Sequence, residues 1–287
     1  MPRIAAAPSR RARKPKLGQH FLVDHSAANK IVDALGDVSQ GTVLEIGPGR
    51  GIITSVLAQR TRRLIAIELD RVLAAQLRMK FALRPNVEII EGDILAIDFS
   101  TLFGPKPGST RPGIEFRPEP VRVVGNLPYF ITSDILLRLL QQRQYFETIV
   151  IVVQREVADR LAAKPGGRDY GLLSATAQLY ARVESLFTLG PGAFSPVPKV
   201  HSTVVRLTLS PQIGNLRVPE GAFIDFLKTS FRQKRKTLWN NLKSAYAPDL
   251  LRRAMERAAI KSTVRAEALS LEKSAALFRA LQDGVLS

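Results

Sequence analysis

Five short apolar runs, Val43–Ile46, Leu64–Glu68, Val87–Ile90, Val121–Gly125 and Ile149–Val153, are separated by stretches with helical periodicity. No other feature of the chain restricts its fold as strongly. Val/Ile runs without polar alternation are buried on both faces, and helices between them supply the crossovers. The pattern therefore predicts a parallel sheet covered on both sides. A helical pattern through Ile52, Ile53, Val56 and Leu57 fills the first crossover, and Arg71–Lys80 fills the second. After a predicted helix from Gly171 to Arg182 the texture changes. Val183–Leu189 and Val200–Leu209 read as strands, and their Pro-rich connection leaves no room for a helix, so they form an antiparallel pair.

Beyond Ser210-Pro211 the strands stop, and Phe223, Leu227, Phe231, Leu238 and Leu242 recur at helical spacing. With 287 residues, 45% of them hydrophobic, the chain can build one large core, or one large and one small domain. The expected organisation is a basic flexible arm (1–17), an α/β catalytic domain (18–210) and a helical domain (211–287). Residues 104–120 interrupt the α/β part with alternating Pro and Gly, which suits a surface loop.

The net charge of +17 is unevenly spread. Residues 1–18 carry six basic groups and no acids, 19–210 carry 22 basic and 18 acidic, and 211–287 carry 14 basic and 7 acidic. A nearly balanced body with basic ends suits a polyanionic partner, with nucleic acid ahead of membrane. No apolar run approaches the roughly 18 residues that span a bilayer. The N-terminal stretch lacks the apolar core of a secretory signal. The absence of cysteine excludes disulfides, thiolate nucleophiles and cysteine-ligated metal, and it fits a reducing, cytoplasmic setting. His20, His25 and His201 have no metal-ligand spacing, so no metal site is expected.

Gly47, Gly49 and Gly51 follow the first strand directly and precede a helix. Glycines there let the backbone turn sharply and approach a ligand. The spacing G-x-G-x-G differs from the dinucleotide fingerprint G-x-G-x-x-G. Glu68 closes the second strand, where a carboxylate can accept from two ribose hydroxyls. Asp93 follows the third, where it can accept from an adenine amine; either acid could instead only cap a helix. Together these groups describe a nucleoside-cofactor site at the carboxyl edge of the sheet.

Asn126-Leu127-Pro128-Tyr129 follows the fourth strand. The exocyclic amine of adenine is a poor nucleophile because its lone pair is delocalised into the ring. The Asn126 carboxamide oxygen and the Leu127 carbonyl can accept its two N–H bonds and localise that pair. Pro128 stiffens the turn, and Tyr129 offers a face on which a flipped base can stack. The two corners together point to methyl transfer onto a ring-substituent nitrogen of a planar base.

The chain closely resembles the bacterial small-subunit ribosomal RNA adenine N6,N6-dimethyltransferases. The likeness runs from Lys16 to Leu281 and includes Leu17-Gly18-Gln19-His20-Phe21-Leu22, the glycine turn, Glu68, Asp93 and Asn126–Tyr129. It also includes Ala193-Phe194-Ser195-Pro196-Val197-Pro198-Lys199-Val200 and Phe231-Arg232-Gln233-Lys234-Arg235-Lys236-Thr237-Leu238. The resemblance implies a class I S-adenosylmethionine-dependent methyltransferase fold, Rossmann-like, with a small C-terminal helical domain. It implies S-adenosylmethionine as cofactor and two adjacent adenines near the 3′ end of 16S rRNA, in the small ribosomal subunit, as substrate. By the same resemblance His20 and Leu22 close over the cofactor, Gly47 contacts it and Glu68 binds its ribose. Asp93 and Asn126 flank its adenine and the methyl-donor region, and Phe194 stacks on the target base opposite Tyr129.

His20 stands where the family often has Asn, which points to a contact through the backbone. The 104–120 insertion is unusual for the family and lies near the active edge. Arg232, Lys234, Arg235 and Lys236 are read as one face of a helix whose other face carries Phe231, Leu238 and Leu242, with the arm Arg10–Lys16 as a second grip on rRNA phosphates. The alternatives are a large-subunit (23S) rRNA adenine methyltransferase of the antibiotic-resistance type, and a non-catalytic assembly factor on this scaffold. The first tends toward Asn-Ile-Pro-Tyr and a shorter helical part; the second would have lost Asn126 or the glycine turn. A monomer is expected.

Overall fold

The computed structural model describes residues 20–105 and 119–284. The arm 1–17, with its Arg10–Lys16 grip, and most of the 104–120 insertion lie outside the described residues.

Among the described residues nine strands form in chain order: β1 (Phe21–Leu22), β2 (Thr42–Ile46), β3 (Arg63–Glu68), β4 (Val87–Glu91), β5 (Val121–Asn126), β6 (Phe146–Gln154), β7 (Ala181–Leu189), β8 (Phe194–Ser195) and β9 (Ser202–Leu209). Seven make one sheet in the order β4-β3-β2-β5-β6-β9-β7. The first five run parallel; β9 lies antiparallel to both β6 and β7. The predicted parallel sheet with a closing antiparallel pair is therefore present. The antiparallel strand is inserted between β6 and β7, so the chain-final strand of the sheet is not its edge.

Side-chain alternation along the strands divides the core into two layers. Leu44, Ile65, Val123 and Ile151 face one way, against the helices Thr132–Gln141 and Leu172–Tyr180. Val43, Leu64, Val124 and Val150 face the other, against the helices His25–Asp33 and Ile52–Arg60. Asp24 starts the helix His25–Asp33 by accepting from the Ala27 N–H at 3.0 Å, and Asp70 caps Arg71–Lys80 from the Val72 N–H at 2.8 Å. Both are side-chain N-caps that satisfy otherwise orphaned donors.

The predicted helix over 171–182 ends sooner, at Tyr180. Ala181 and Arg182 are instead drawn into β7 by pairing with Leu209 and Thr208. The first layer runs on past residue 210: Leu216, Phe223, Phe226, Leu227, Leu251 and Phe278 belong to the same buried cluster as Leu44 and Ile151. The C-terminal helices are thus cemented to the sheet's helical layer.

The basic run is not a helix face. The helix Glu220–Ser230 ends at Phe231, and the next, Leu238–Leu242, begins after Thr237, leaving Arg232, Lys234, Arg235 and Lys236 in the exposed loop between them. The Asn241 carboxamide donates back to the Ser230 carbonyl at 2.8 Å and to the Gln233 carbonyl at 3.2 Å. Thr237 Oγ1 accepts from the Asn240 N–H at 3.3 Å. These bonds satisfy the ends of two separate helices, so the chain breaks where apolar spacing alone predicts continuity.

Candidate active site

Connectivity reverses at β2: the chain crosses to β3 on one side, while β5 lies against the other side with Ile46 opposite Gly125. Such a switch point opens a crevice beyond the carboxyl ends of the strands. A cavity sits there, lined among others by Gly47, Gly49, Glu68, Asp93, Asn126 and Tyr129. Gly47 and Gly49 adopt φ of 65° and 57°, the left-handed region that side-chain-bearing residues avoid. A Cβ on Gly49 would come within 2.8 Å of Phe21 Cδ1, so the turn also needs hydrogen at that position.

Glu68 is 3% exposed. Its Oε2 accepts from the Gly49 N–H and its Oε1 from the Asp70 N–H, both at 2.9 Å. A carboxylate has about four acceptor sites. Two are spent fixing the glycine turn to the end of β3, and two remain open. Asp93 Oδ1 accepts from the Leu95 N–H at 2.9 Å, a local turn-capping role, and among the described residues nothing donates to Oδ2. Capping thus uses one of its two oxygens and leaves the other open toward the cavity.

At the end of β5, Asn126 Nδ2 donates to the His20 carbonyl at 2.8 Å. That bond orients the amide, leaving Oδ1 without a donor among the described residues. The Leu127 N–H donates to the Val152 carbonyl at 3.2 Å and its side chain is buried, so its own carbonyl is held in place without a donor among the described residues. The Pro128 carbonyl accepts from the Ile131 N–H at 3.2 Å and from Thr132 Oγ1 at 3.0 Å, which locks the turn. Tyr129 bonds Ser202 Oγ through its hydroxyl at 2.9 Å, and its ring stacks on His20 with centroids 5.5 Å apart. His20 Nδ1 in turn meets the Pro196 carbonyl at 2.7 Å.

Two of the expected residues sit away from the cavity. Leu22 does not line the cavity; it is 4% exposed and packed in the second core layer. Its neighbour Phe21 lines the cavity instead, with the Arg50 guanidinium 4.9 Å above its ring. Successive residues of a strand face opposite ways, and pairing of β1 with β8 sets which way. Phe194, expected to stack on the target base, is 2% exposed and buried beside Leu22, its partner in that ladder. Its ring serves the core in this conformation. Phe130, which the motif reading passed over, lines the cavity mouth and is 58% exposed. Arg232, Lys234, Arg235 and Lys236 are not among the residues that line this cavity.

A buried acid lies two residues before the glycine turn. Glu45 on β2 is 1% exposed, and neither its Oε2 nor the nearby Thr54 Oγ1 has a hydrogen-bond partner. Burial pushes its carboxyl up to about 8, with Glu68 adding to the rise; Thr54 and Lys80 oppose it, although the Thr54 hydroxyl falls short of hydrogen-bond geometry.

The profile of the ribosomal RNA adenine dimethylase family matches residues 10–283. A curated relative from Koribacter versatilis (strain Ellin345), ribosomal RNA small subunit methyltransferase A, is 57% identical, covering 99% of this chain and all of that protein. Among solved structures, a dimethyladenosine transferase from Plasmodium falciparum superposes with a TM-score of 0.75 at 22% identity, covering 92% of this chain and 98% of the other, which supports a shared fold. The 23S rRNA methyltransferase ErmE superposes with a TM-score of 0.66 at 27% identity, covering 91% and 99%.

Proposed function

The chain belongs to the ribosomal RNA adenine dimethylase family, and from this we propose that it transfers methyl groups from S-adenosylmethionine to N6 of two adjacent adenines near the 3′ end of 16S rRNA. The product is N6,N6-dimethyladenosine, made during assembly of the small ribosomal subunit, in the cytoplasm and by a monomer.

The donor set fits the cofactor. Glu68 has two acceptor positions left over after fixing the turn, which suits a pair of ribose hydroxyls. Asp93 Oδ2 is open to an adenine amine. The glycines at 47 and 49 bring bare backbone to the same cavity, and Phe21 and His20 border it from above. When bound, the cofactor supplies an electrophilic methyl group on a positively charged sulfur.

One observation carries the reading of the acceptor: the His20 carbonyl holds the Asn126 amide by its nitrogen, so that the amide oxygen is left for a donor from outside. Asn126 Oδ1 and the Leu127 carbonyl then take the two N–H bonds of an adenine amine and draw its lone pair out of the ring. Tyr129 carries His20 on one ring face and offers the other to the base. These acceptors are fixed before substrate arrives, so little reorganisation is spent in the transition state. After the first transfer only one N–H is left, and the base is held by one acceptor and by stacking. The helical part 211–287, with the loop cations Arg232, Lys234, Arg235 and Lys236, and the arm 1–17 grip RNA phosphates, while Asn126–Tyr129 select the base. No described helix is long and apolar enough to cross a membrane.

The test is incubation with radiolabelled S-adenosylmethionine and, in parallel, small subunits lacking the modification or large subunits, followed by nucleoside identification. Labelled N6,N6-dimethyladenosine in small-subunit RNA is the expected product. Label only in large-subunit RNA would replace this reading with the resistance-type one. Tight subunit binding without label would leave a binding protein on an enzyme's fold.

A further inference from the structure

A second cavity, of 660 Å³, opens in the C-terminal helices. Its floor is apolar, made by Met255 (3% exposed) and Ile260 (9%), and Trp239 forms one wall. The chain turns at Ala259, where φ is 52° and the Ile260 N–H donates to the Met255 carbonyl at 2.9 Å, so that 260–263 fold back as the opposite wall. The Leu238 N–H donates to the Val264 carbonyl at 2.7 Å and ties the two walls together. The rim is polar and exposed, with Asn240, Glu256 and Lys261. An aromatic wall over an apolar floor, edged by an amide, a carboxylate and a cation, matches a planar heteroaromatic ring with hydrogen-bonding edges.

The slot's surroundings select the occupant. Loop residues Arg232, Lys234, Arg235 and Lys236 run directly into Thr237, itself part of the slot's lining. None of the four makes an ion pair among the described residues, and the Lys234 ammonium donates only to the Arg168 carbonyl, at 2.7 Å. Arg252 on the slot's edge has only a long contact to Asp249, 3.8 Å. Four loop cations without acidic partners among the described residues, beside an aromatic slot, form the arrangement that grips a single strand, phosphates on the basic edge and a base on the ring.

We propose that this slot takes one unstacked nucleobase of a bound RNA strand, laid face-on against Trp239, with the backbone crossing Lys261 and the 232–236 loop. It is a site separate from the methyl-transfer cavity and rests on the RNA-partner half of the proposed function, not on the chemistry. It adds recognition of an unpaired nucleotide to the phosphate grip, so that the helical part distinguishes a looped or frayed strand from a duplex.

Trp239 is the only tryptophan of the chain, so its fluorescence reports this slot directly. The full-length protein is titrated with a short single-stranded oligoadenylate and with a blunt RNA duplex of equal charge, and total binding is followed by anisotropy of a labelled strand. Saturable quenching by the single strand, with much less by the bound duplex, is expected. Trp239→Leu should weaken single-strand binding by about 5- to 100-fold, the range for loss of one stacked base, without changing its salt dependence, and Trp239→Phe should recover most of it. Equal quenching by duplex, or unchanged single-strand affinity in Trp239→Leu, would overturn the proposal. If Trp239→Leu fails to fold, the quenching comparison in the unaltered protein decides alone. A protein that quenches in this way but labels no rRNA would lose the methylation reading and keep the slot.

Discussion

Replacing Glu45 by Gln tests the physical account of the sheet's centre quantitatively. The carboxyl is 1% exposed on β2, and burial raises it from the ordinary 4.5 to about 8. Because the folded value lies above the unfolded one, the folded state holds a proton that the unfolded chain gives up. The associated stability is complete below pH 4.5 and is lost as pH rises toward 8. At about 1.4 kcal/mol per unit, the loss is about 3 kcal/mol at pH 7 and approaches about 5 kcal/mol above pH 8. Gln is isosteric and cannot ionise. Urea unfolding of the two proteins should therefore give similar stabilities near pH 4.5, with the variant gaining steadily as pH rises and levelling off past 8. A stability difference that stays flat across that window, or one that grows toward acid, would refute the assignment of a neutral buried carboxyl.

Asn126→Ala removes the acceptor for the target amine and should lower kcat by about 10²- to 10³-fold while RNA affinity stays nearly constant; full turnover would take Asn126 out of its role. Glu68→Gln exchanges one acceptor oxygen for a donor facing the Gly49 or Asp70 N–H, and calorimetry should show cofactor binding about 10- to 100-fold weaker, about 1.5–3 kcal/mol for hydrogen bonds to a charged group. In Gly49→Ala the backbone must keep φ near 57° with a side chain attached, and the added methyl meets the Phe21 ring. The left-handed conformation alone should cost about 1–2 kcal/mol, visible as a lower Tm. Changing Arg232, Lys234, Arg235 and Lys236 together to Gln should flatten the salt dependence of subunit binding by as many as four counterions, a slope measured by filter binding over a salt series.

Much of the architecture is legible in local pattern. A strand buried on both faces has to be a continuous Val/Ile run, and a parallel neighbour has to be reached through a helix, so the five runs and their spacings already imply the sheet and its carboxyl edge. Gly47, Glu68, Asp93 and Asn126 are legible for the same reason: each sits at a strand's end, and the topology brings strand ends together. The continuous run of Phe223 and Leu227 with the later leucines is legible only as apolar content. The loop at 231–237 interrupts it because Asn241 and Thr237 satisfy helix ends there, which a periodicity cannot register.

The amino-acid order by itself determined the five parallel strands, their helical crossovers and the chemical identity of the groups at the sheet's edge, because these follow from burial and chain connectivity over short spans. Only the tertiary structure decided which way those groups face. Phe21 lines the cavity and Leu22 the core because a two-residue strand has no period of its own and takes its orientation from β8. Phe194 is buried by the same ladder. The Asn126 oxygen is left without a donor among the described residues because a carbonyl at His20, distant in the chain, claims the nitrogen. Each of these outcomes depends on a contact between residues far apart in sequence, and such contacts exist only once the sheet has closed.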